Sequence, residues 1–305
     1  MAAIGERVAP VDLTNAIARG RLRASLIPDL LIDARRVVNT VIAGWHGRRK
    51  RGIGENFWQF RPYVEGEAMA RIDWRRSARD EHVYVRDREW ETSHTVWLWA
   101  DPSASMLFRS TTAAVSKESR ALVLILALAE LLSRSGERIG YPGVTDPIAS
   151  RNGAERLAAG LSNVSQPLAE PPLASVKRSA EIVIVSDFLQ PVEELEQFFA
   201  KISQRGARAH LIEVADPAEE EFPYSGRTEF SDPETGRRLT AGRAEALRTE
   251  YAAAYQARRD FIRRHAERSG WSFFVNRTDR LASEALLAVH RRMSESGDYH
   301  FGGAI

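Results

Sequence analysis

Thr95-Val96-Trp97-Leu98-Trp99-Ala100-Asp101-Pro102-Ser103-Ala104-Ser105 is a short apolar strand that runs straight into a polar loop, with a carboxylate at the junction. A second stretch has the same form. Glu181-Ile182-Val183-Ile184-Val185-Ser186 is the most strand-like run of the chain, and Asp187 follows it. A continuous apolar run of this length suits a strand buried on both faces, as in a parallel sheet.

Working outward, strands alternate with helical patterns. Ser116 reads as the N-cap of a long helix ending near Ser135, with Gly136 as its stop. That helix is apolar on nearly all sides and is expected to be buried. Residues 137–144 read as a strand, and Thr145-Asp146-Pro147 as a turn into a short edge strand at Ile148-Ala149. A small helix over 154–161 follows, then a proline-rich loop at 167–172. Helix 192–205, strand 207–214, helix 242–268, strand 271–275 and helix 281–294 complete the series. Such alternation predicts an α/β fold, a doubly wound, mostly parallel sheet with helices on both faces. Within it, Arg227–Phe230 and Arg237–Thr240 flank Ser231-Asp232-Pro233-Glu234-Thr235-Gly236, the turn chemistry of a small hairpin inserted at about 222–241.

The first 92 residues have another texture. Residues 25–44 read as an amphipathic helix, and 45–91 mix glycine, aromatics and charge, with an extended segment at His82-Val83-Tyr84-Val85-Arg86. We therefore expect an N-terminal appendage over 1–92, an α/β domain over 93–295 and a tail over 296–305. Trp45, Trp58, Trp74 and Trp90 are expected to need apolar cover.

Composition narrows the function. Apolar residues make up 44% and charged residues 28% of 305, the balance of a folded protein. A net charge of +2 gives little long-range pull on nucleic acid or anionic lipid. The first 51 residues carry ten basic and four acidic side chains, ending in Arg48-Arg49-Lys50-Arg51, which is read as a solvated face that leaves peripheral membrane contact open. The absence of cysteine excludes disulfides, thiolate metal sites and a cysteine nucleophile, and fits the cytoplasm. The N-terminus lacks the pattern of a secretory signal, and the longest apolar run, 121–129, is too short to span a bilayer.

The chemistry gathers at the two strand ends. In an open parallel sheet, ligands bind beyond the carboxyl ends of strands where strand order reverses. If the strands ending at Ala100 and Ser186 are neighbours there, Asp101 and Asp187 face one crevice. Ser103 and Ser105 alternate with Asp101, so their oxygens can turn toward one point. These are hard donors suited to Mg2+ or Mn2+. The plainer reading is that Asp101 and Ser103 cap the next turn and Asp187 opens the following helix.

Asp101-Pro102-Ser103-Ala104-Ser105-Met106 resembles the metal-ion-dependent adhesion site of von Willebrand factor A-like domains. A larger block is similar to the bacterial domain-of-unknown-function family fifty-eight: Gly54-Glu55-Asn56-Phe57, Arg61-Pro62-Tyr63, Gly66, Arg71-Ile72-Asp73-Trp74-Arg75-Arg76-Ser77-Ala78-Arg79 and Val85-Arg86. That resemblance extends weakly to Leu281–Leu287 and covers most of 25–292. It implies a binding module of the kind often found beside a MoxR-type AAA+ ATPase, and we expect no enzymatic activity. It also implies that Asp101, Ser103 and Ser105 hold the ion, with Asp187 in or just behind the shell and an acidic side chain of the partner completing it. The chain departs from the pattern at the threonine loop: Thr145 lies in the expected turn, and the loop at Arg151-Asn152-Gly153 has no threonine. Arg71, Asp73, Trp74, Arg75 and Arg79 are read first as a structural network and second as a partner-binding group.

Two other classes compete. A metal-dependent phosphoryl hydrolase or nuclease would use Asp101 and Asp187, but such sites generally need more acidic ligands, and the serine-elbow, phosphate-loop and His-Glu-x-x-His motifs are absent. A nucleic-acid module would use Arg48–Arg51 with Phe57, Trp58 and Phe60, where anchoring of the aromatics is the simpler account, so no specific nucleic acid is expected. The seven histidines have no metal-ligand spacing.

Overall fold

The computed structural model describes residues 13–45, 58–64, 68–69, 72–79, 82–88, 94–164 and 168–298. The chain divides into two compact units, one formed by residues up to Ile42 together with those from His94 onward, the other by Ala43–Ser93. The N-terminal helix, α1 (Leu13–Trp45), starts earlier than expected and falls mainly with the sheet. Grouping it with the appendage is corrected by its apolar stripe: Ile27, Leu30, Ala34, Val38 and Val41, spaced by three and four, are buried in the main core. Arg23 to Glu118 at 3.5 Å and Arg35 to Glu130 at 3.8 Å tie it alongside the buried helix of that core.

In the smaller unit, β1 (Trp58–Pro62) pairs antiparallel with β2 (Tyr84–Arg88), and α2 (Trp74–Ser77) is a single turn between them. Asp73 caps that turn, accepting a hydrogen bond from the Arg76 amide at 2.9 Å. Trp74 is 63% exposed, so the expectation that it needs apolar cover does not hold.

The larger unit continues with β3 (Thr95–Ala100), α3 (Lys117–Arg134), β4 (Arg138–Tyr141), β5 (Thr145–Ala149), α4 (Gly153–Ser162), β6 (Glu181–Ser186), α5 (Val192–Gln204) and β7 (Arg208–Ala215). Then come α6 (Pro217–Glu221), β8 (Thr228–Ser231), β9 (Arg238–Ala241), α7 (Arg248–Arg268), β10 (Ser272–Arg277) and α8 (Ala282–Asp298). The six-stranded sheet runs β10-β7-β6-β3-β4-β5, parallel except for β5. This is the mixed α/β architecture the alternation predicts. β3, β6 and β7 are buried almost end to end, and since strand side chains alternate, both faces must be covered. α3 packs on α4 and α8, while α5 meets α7 through Phe199 against His265 at 4.9 Å and Trp271 beyond it at 5.9 Å.

Two local expectations change. Thr145, Asp146 and Pro147 are strand, not turn, and the chain reverses over Pro142-Gly143-Val144 with Gly143 at φ +75. Pro then Gly is the type II turn signature, and Pro147 is tolerated because β5 is the sheet edge. The short α6 was not foreseen, although Asp216-Pro217-Ala218-Glu219 is a complete capping box with proline at the first helical position.

Where β5 bends against β4, the backbone leaves no room for a side chain on Gly140. A Cβ there would lie 2.9 Å from the Pro147 nitrogen and 3.0 Å from the Thr145 oxygen. Gly140→Ala is therefore expected to destabilise the chain by about 1–3 kcal/mol, the usual cost of overpacking, in urea denaturation. A variant with unchanged midpoint would show that β5 moves freely.

Candidate metal centre at the switch point

β3 has β4 on one side and β6 on the other, and the chain travels out to β5 before returning to β6. The loops leaving β3 and β6 therefore diverge and open a crevice between them. Ala100 is in register with Val185, and the Asp101 amide donates to the Val185 carbonyl at 2.9 Å. Asp101 thus lies beside Ser186, with Asp187 one residue further along the neighbouring strand end.

Asp101 is fully buried. Its Oδ1 accepts from the Ser103 amide at 2.8 Å, folding the loop back on itself, and its Oδ2 accepts from the Ser186 hydroxyl at 2.5 Å. The same turn brings the Ser103 and Ser105 hydroxyls to 3.1 Å of each other across the start of the one-turn helix at Ala104–Leu107. Burial first, and the Asp187 carboxylate second, push the Asp101 carboxyl above its ordinary value, against the hydrogen bonds from Ser186 and Ser103. Among the described residues Asp101 has no cationic partner. Beside it, the Gln190 Nε2 lies 3.4 Å from Oδ2, while the buried Gln190 Oε1 has no hydrogen-bond partner.

Asp187 is held differently. Its Oδ2 accepts from the Lys117 ammonium at 2.8 Å, and Lys117 also binds Glu219. Lys117 is fully buried at the first position of α3. Burial would lower its pKa, but Asp187 and Glu219 outweigh it and the ammonium is raised above its usual range. A cation at a helix N-terminus opposes the helix dipole, so the two carboxylates, and not the helix, hold it there. Glu219 is pushed up by burial and pulled back by Lys117.

The second loop is stiff. Phe188 adopts φ +50, a left-handed conformation that costs a side-chain-bearing residue roughly 1–2 kcal/mol. Its ring is buried and packs 6.3 Å from Phe199, which offsets the cost. Arg258 of α7 donates to the carbonyls of Phe188 and Gln190. The bend aims Asp187 at Lys117 and brings Gln190 back beside Asp101.

The structure therefore brings Asp101, Ser103 and Ser105 together, and ties Asp187 instead to Lys117, which also binds Glu219, in an internal ion pair that sequence reading missed. Lys117 and Glu219 carried a signal: a lysine at the start of an apolar helix, and an unused capping box. Thr145 stands at the start of β5, where its hydroxyl accepts from the Tyr141 amide at 3.1 Å. In the smaller unit, Asp73 is a cap, Arg75 and Arg79 are exposed with Trp74, and Arg71 and Arg48–Arg51 lie outside the described residues. A separate cavity of about 70 Å³ lined by Arg23, Trp99, Tyr141 and Leu161 has room for a few waters, not for an organic cofactor. Among the described residues, no helix is long and apolar enough to cross a membrane.

Fold and strand order together define a mixed α/β protein with a mostly parallel sheet and a crevice at its switch point. The chain belongs to the family described as protein of unknown function DUF58, which matches residues 59–261. Uncharacterized proteins of Mycobacterium bovis and Mycobacterium tuberculosis are each 28% identical to it over 292 residues, covering 88% of this chain and 90% of theirs. An aerotolerance-related membrane protein from Bacteroides fragilis matches in structure with TM-score 0.38 and 16% identity, over 67% of this chain and 100% of that one. The conserved hypothetical protein BatB from Bacteroides thetaiotaomicron matches with TM-score 0.38 and 18% identity, over 68% and 100%.

Proposed function

We propose that this chain is a protein-binding module of the von Willebrand factor A type, in which Asp101, Ser103 and Ser105 hold Mg2+ or Mn2+. In this reading an acidic side chain of a protein partner completes the site. The observation that carries it is Asp101: a fully buried carboxylate without a cationic partner among the described residues, facing two hydroxyls in a switch-point crevice. Its donors suit a hard ion. Octahedral coordination at 2.0–2.1 Å places adjacent oxygens about 2.9 Å apart, close to the 3.1 Å between the serine hydroxyls. Gln190, whose Nε2 lies 3.4 Å from the carboxylate, also carries a buried Oε1 with no hydrogen-bond partner.

An ion bound there supplies an electrophilic position for an incoming carboxylate. Asp101 provides the charge, the serines fix the spacing, and Asp187 is kept behind them by Lys117. This favours binding over hydrolysis. A phosphoryl-transfer site built on Asp101 and Asp187 needs both carboxylates, and Asp187 is already committed to an ammonium at 2.8 Å. A MoxR-type AAA+ ATPase in the bacterial cytoplasm is the partner class that the family resemblance implies.

The test is calorimetric titration of Mg2+ and Mn2+ into chelator-treated chain, with Asp101→Ala in parallel, followed by capture of a MoxR-type ATPase with and without the metal. Saturable binding lost in the variant, and capture that follows the metal, are expected. If Asp101→Ala leaves both unchanged, the proposal is wrong.

A further inference from the structure

The inserted hairpin brings a second carboxylate to the loop that Asp101 opens. Asp232 shapes its tip: its Oδ1 accepts from the Glu234 amide at 2.9 Å and its Oδ2 from the Thr235 hydroxyl at 2.5 Å, with Gly236 at φ +71 closing the turn. Two residues before Asp232 on β8, Phe230 stacks on Phe222 at 5.7 Å and meets Tyr224 edge-on at 5.2 Å. The hairpin is thus held by Phe230 close to a tip that Asp232 shapes, and the tip reaches the β3 loop. There the Ser105 amide donates to Glu234 Oε1 at 2.7 Å.

We propose that Glu234 is the site's resident acidic ligand, occupying in this chain the position that a partner's carboxylate would take. The inference rests on the metal reading given above and specifies how that site is regulated: a partner gains the position by displacing the hairpin tip. Charge supports it. Asp101 and Glu234 converge on the Ser103–Ser105 loop, and among the described residues neither is paired with a cationic side chain. Two carboxylates approaching one loop repel unless a cation lies between them. The second oxygen of Glu234 makes no hydrogen bond among the described residues, so one oxygen is fixed by the Ser105 amide and the other is free to ligate.

The plain alternative is that Glu234 only satisfies the Ser105 amide at the start of a helical turn. Glu234→Gln separates the two, because glutamine keeps an oxygen acceptor for that amide and loses the charge. Mn2+ is titrated by calorimetry into the chelator-treated full chain and into Glu234→Gln, Glu234→Ala and Asp101→Ala, each with excess sodium acetate or with chloride at equal ionic strength. Both Glu234 variants are expected to bind Mn2+ at least about ten-fold more weakly. Acetate should tighten binding in Glu234→Ala, where the position is vacated, and leave the parent unchanged. Parent-like affinity in Glu234→Gln, with no acetate effect in Glu234→Ala, would overturn the inference; loss of binding in Asp101→Ala would in that case leave the metal reading standing. Absence of Mn2+ binding in the parent overturns both.

Discussion

Replacing Lys117 by methionine is expected to cost about 3–5 kcal/mol of folding stability, the range for removing one partner of a buried ion pair. Methionine fills the volume of the lysine stem, so the loss comes from charge. Asp187 and Glu219 would then lie in the protein interior without their shared ammonium, which binds Asp187 at 2.8 Å. At roughly 2–4 °C per kcal/mol for a chain near this size, Tm should fall by about 10 °C. The deficit should depend on pH in a defined direction. Glu219 is already raised by burial with Lys117 opposing, and removing the lysine raises it further. A carboxyl raised in the folded state binds more protons folded than unfolded, so its cost is present above the folded pKa and vanishes below the unfolded value. The penalty of Lys117→Met should therefore shrink as pH falls from 7 toward the ordinary carboxylate range. Adding Asp187→Asn and Glu219→Gln should recover most of it. Urea titrations of the single and triple variants at several pH values check this, and a pH-independent deficit would assign the loss to packing.

Asp101→Asn should invert its effect with metal. Asp101 is raised by burial first and by Asp187 second, so its ionised form destabilises the native chain at neutral pH. Asparagine keeps an acceptor for the Ser103 amide and removes the charge. In chelator the variant is expected to melt higher than the parent at pH 7, with the gap closing as pH falls through the folded pKa of Asp101 to its unfolded value near 4. With Mg2+ or Mn2+ at a hundred times its Kd, the parent alone should gain about 2.7 kcal/mol, and the order should reverse. Thermal melts in chelator and in metal decide it. A variant less stable than the parent in both conditions would make Asp101 a structural turn residue only.

Much of this was legible before the structure. β3 and β6 declare themselves as unbroken apolar runs, and the carboxylate after each is visible because polar residues contrast sharply with such a strand. Ser103 and Ser105 were found by their alternation with Asp101. Lys117 was invisible as a partner, since its carboxylates lie 70 and 102 residues away and periodicity carries no information about pairing at that distance. Glu234 was hidden for a related reason: in sequence it is one more polar residue of a turn, and only the hairpin's anchorage by Phe230 gives it a direction. The turn before β5 was misplaced because Pro147 reads as a breaker unless the strand is known to be an edge.

The assignment of α1 to the sheet unit makes that unit discontinuous along the chain. Its apolar stripe leaves the ribosome ahead of the sheet and has no seat until β3 and α3, more than fifty residues later, have been made. During synthesis the helix must wait, solvated or shielded by a chaperone, while an intervening stretch is completed. Such sequence-distant docking raises contact order and slows closure, and it exposes a greasy surface at the stage when nascent chains aggregate most readily. A fragment begun at residue 93 would present the complementary fault, a finished sheet with the seat of Ile27, Leu30, Ala34, Val38 and Val41 left bare.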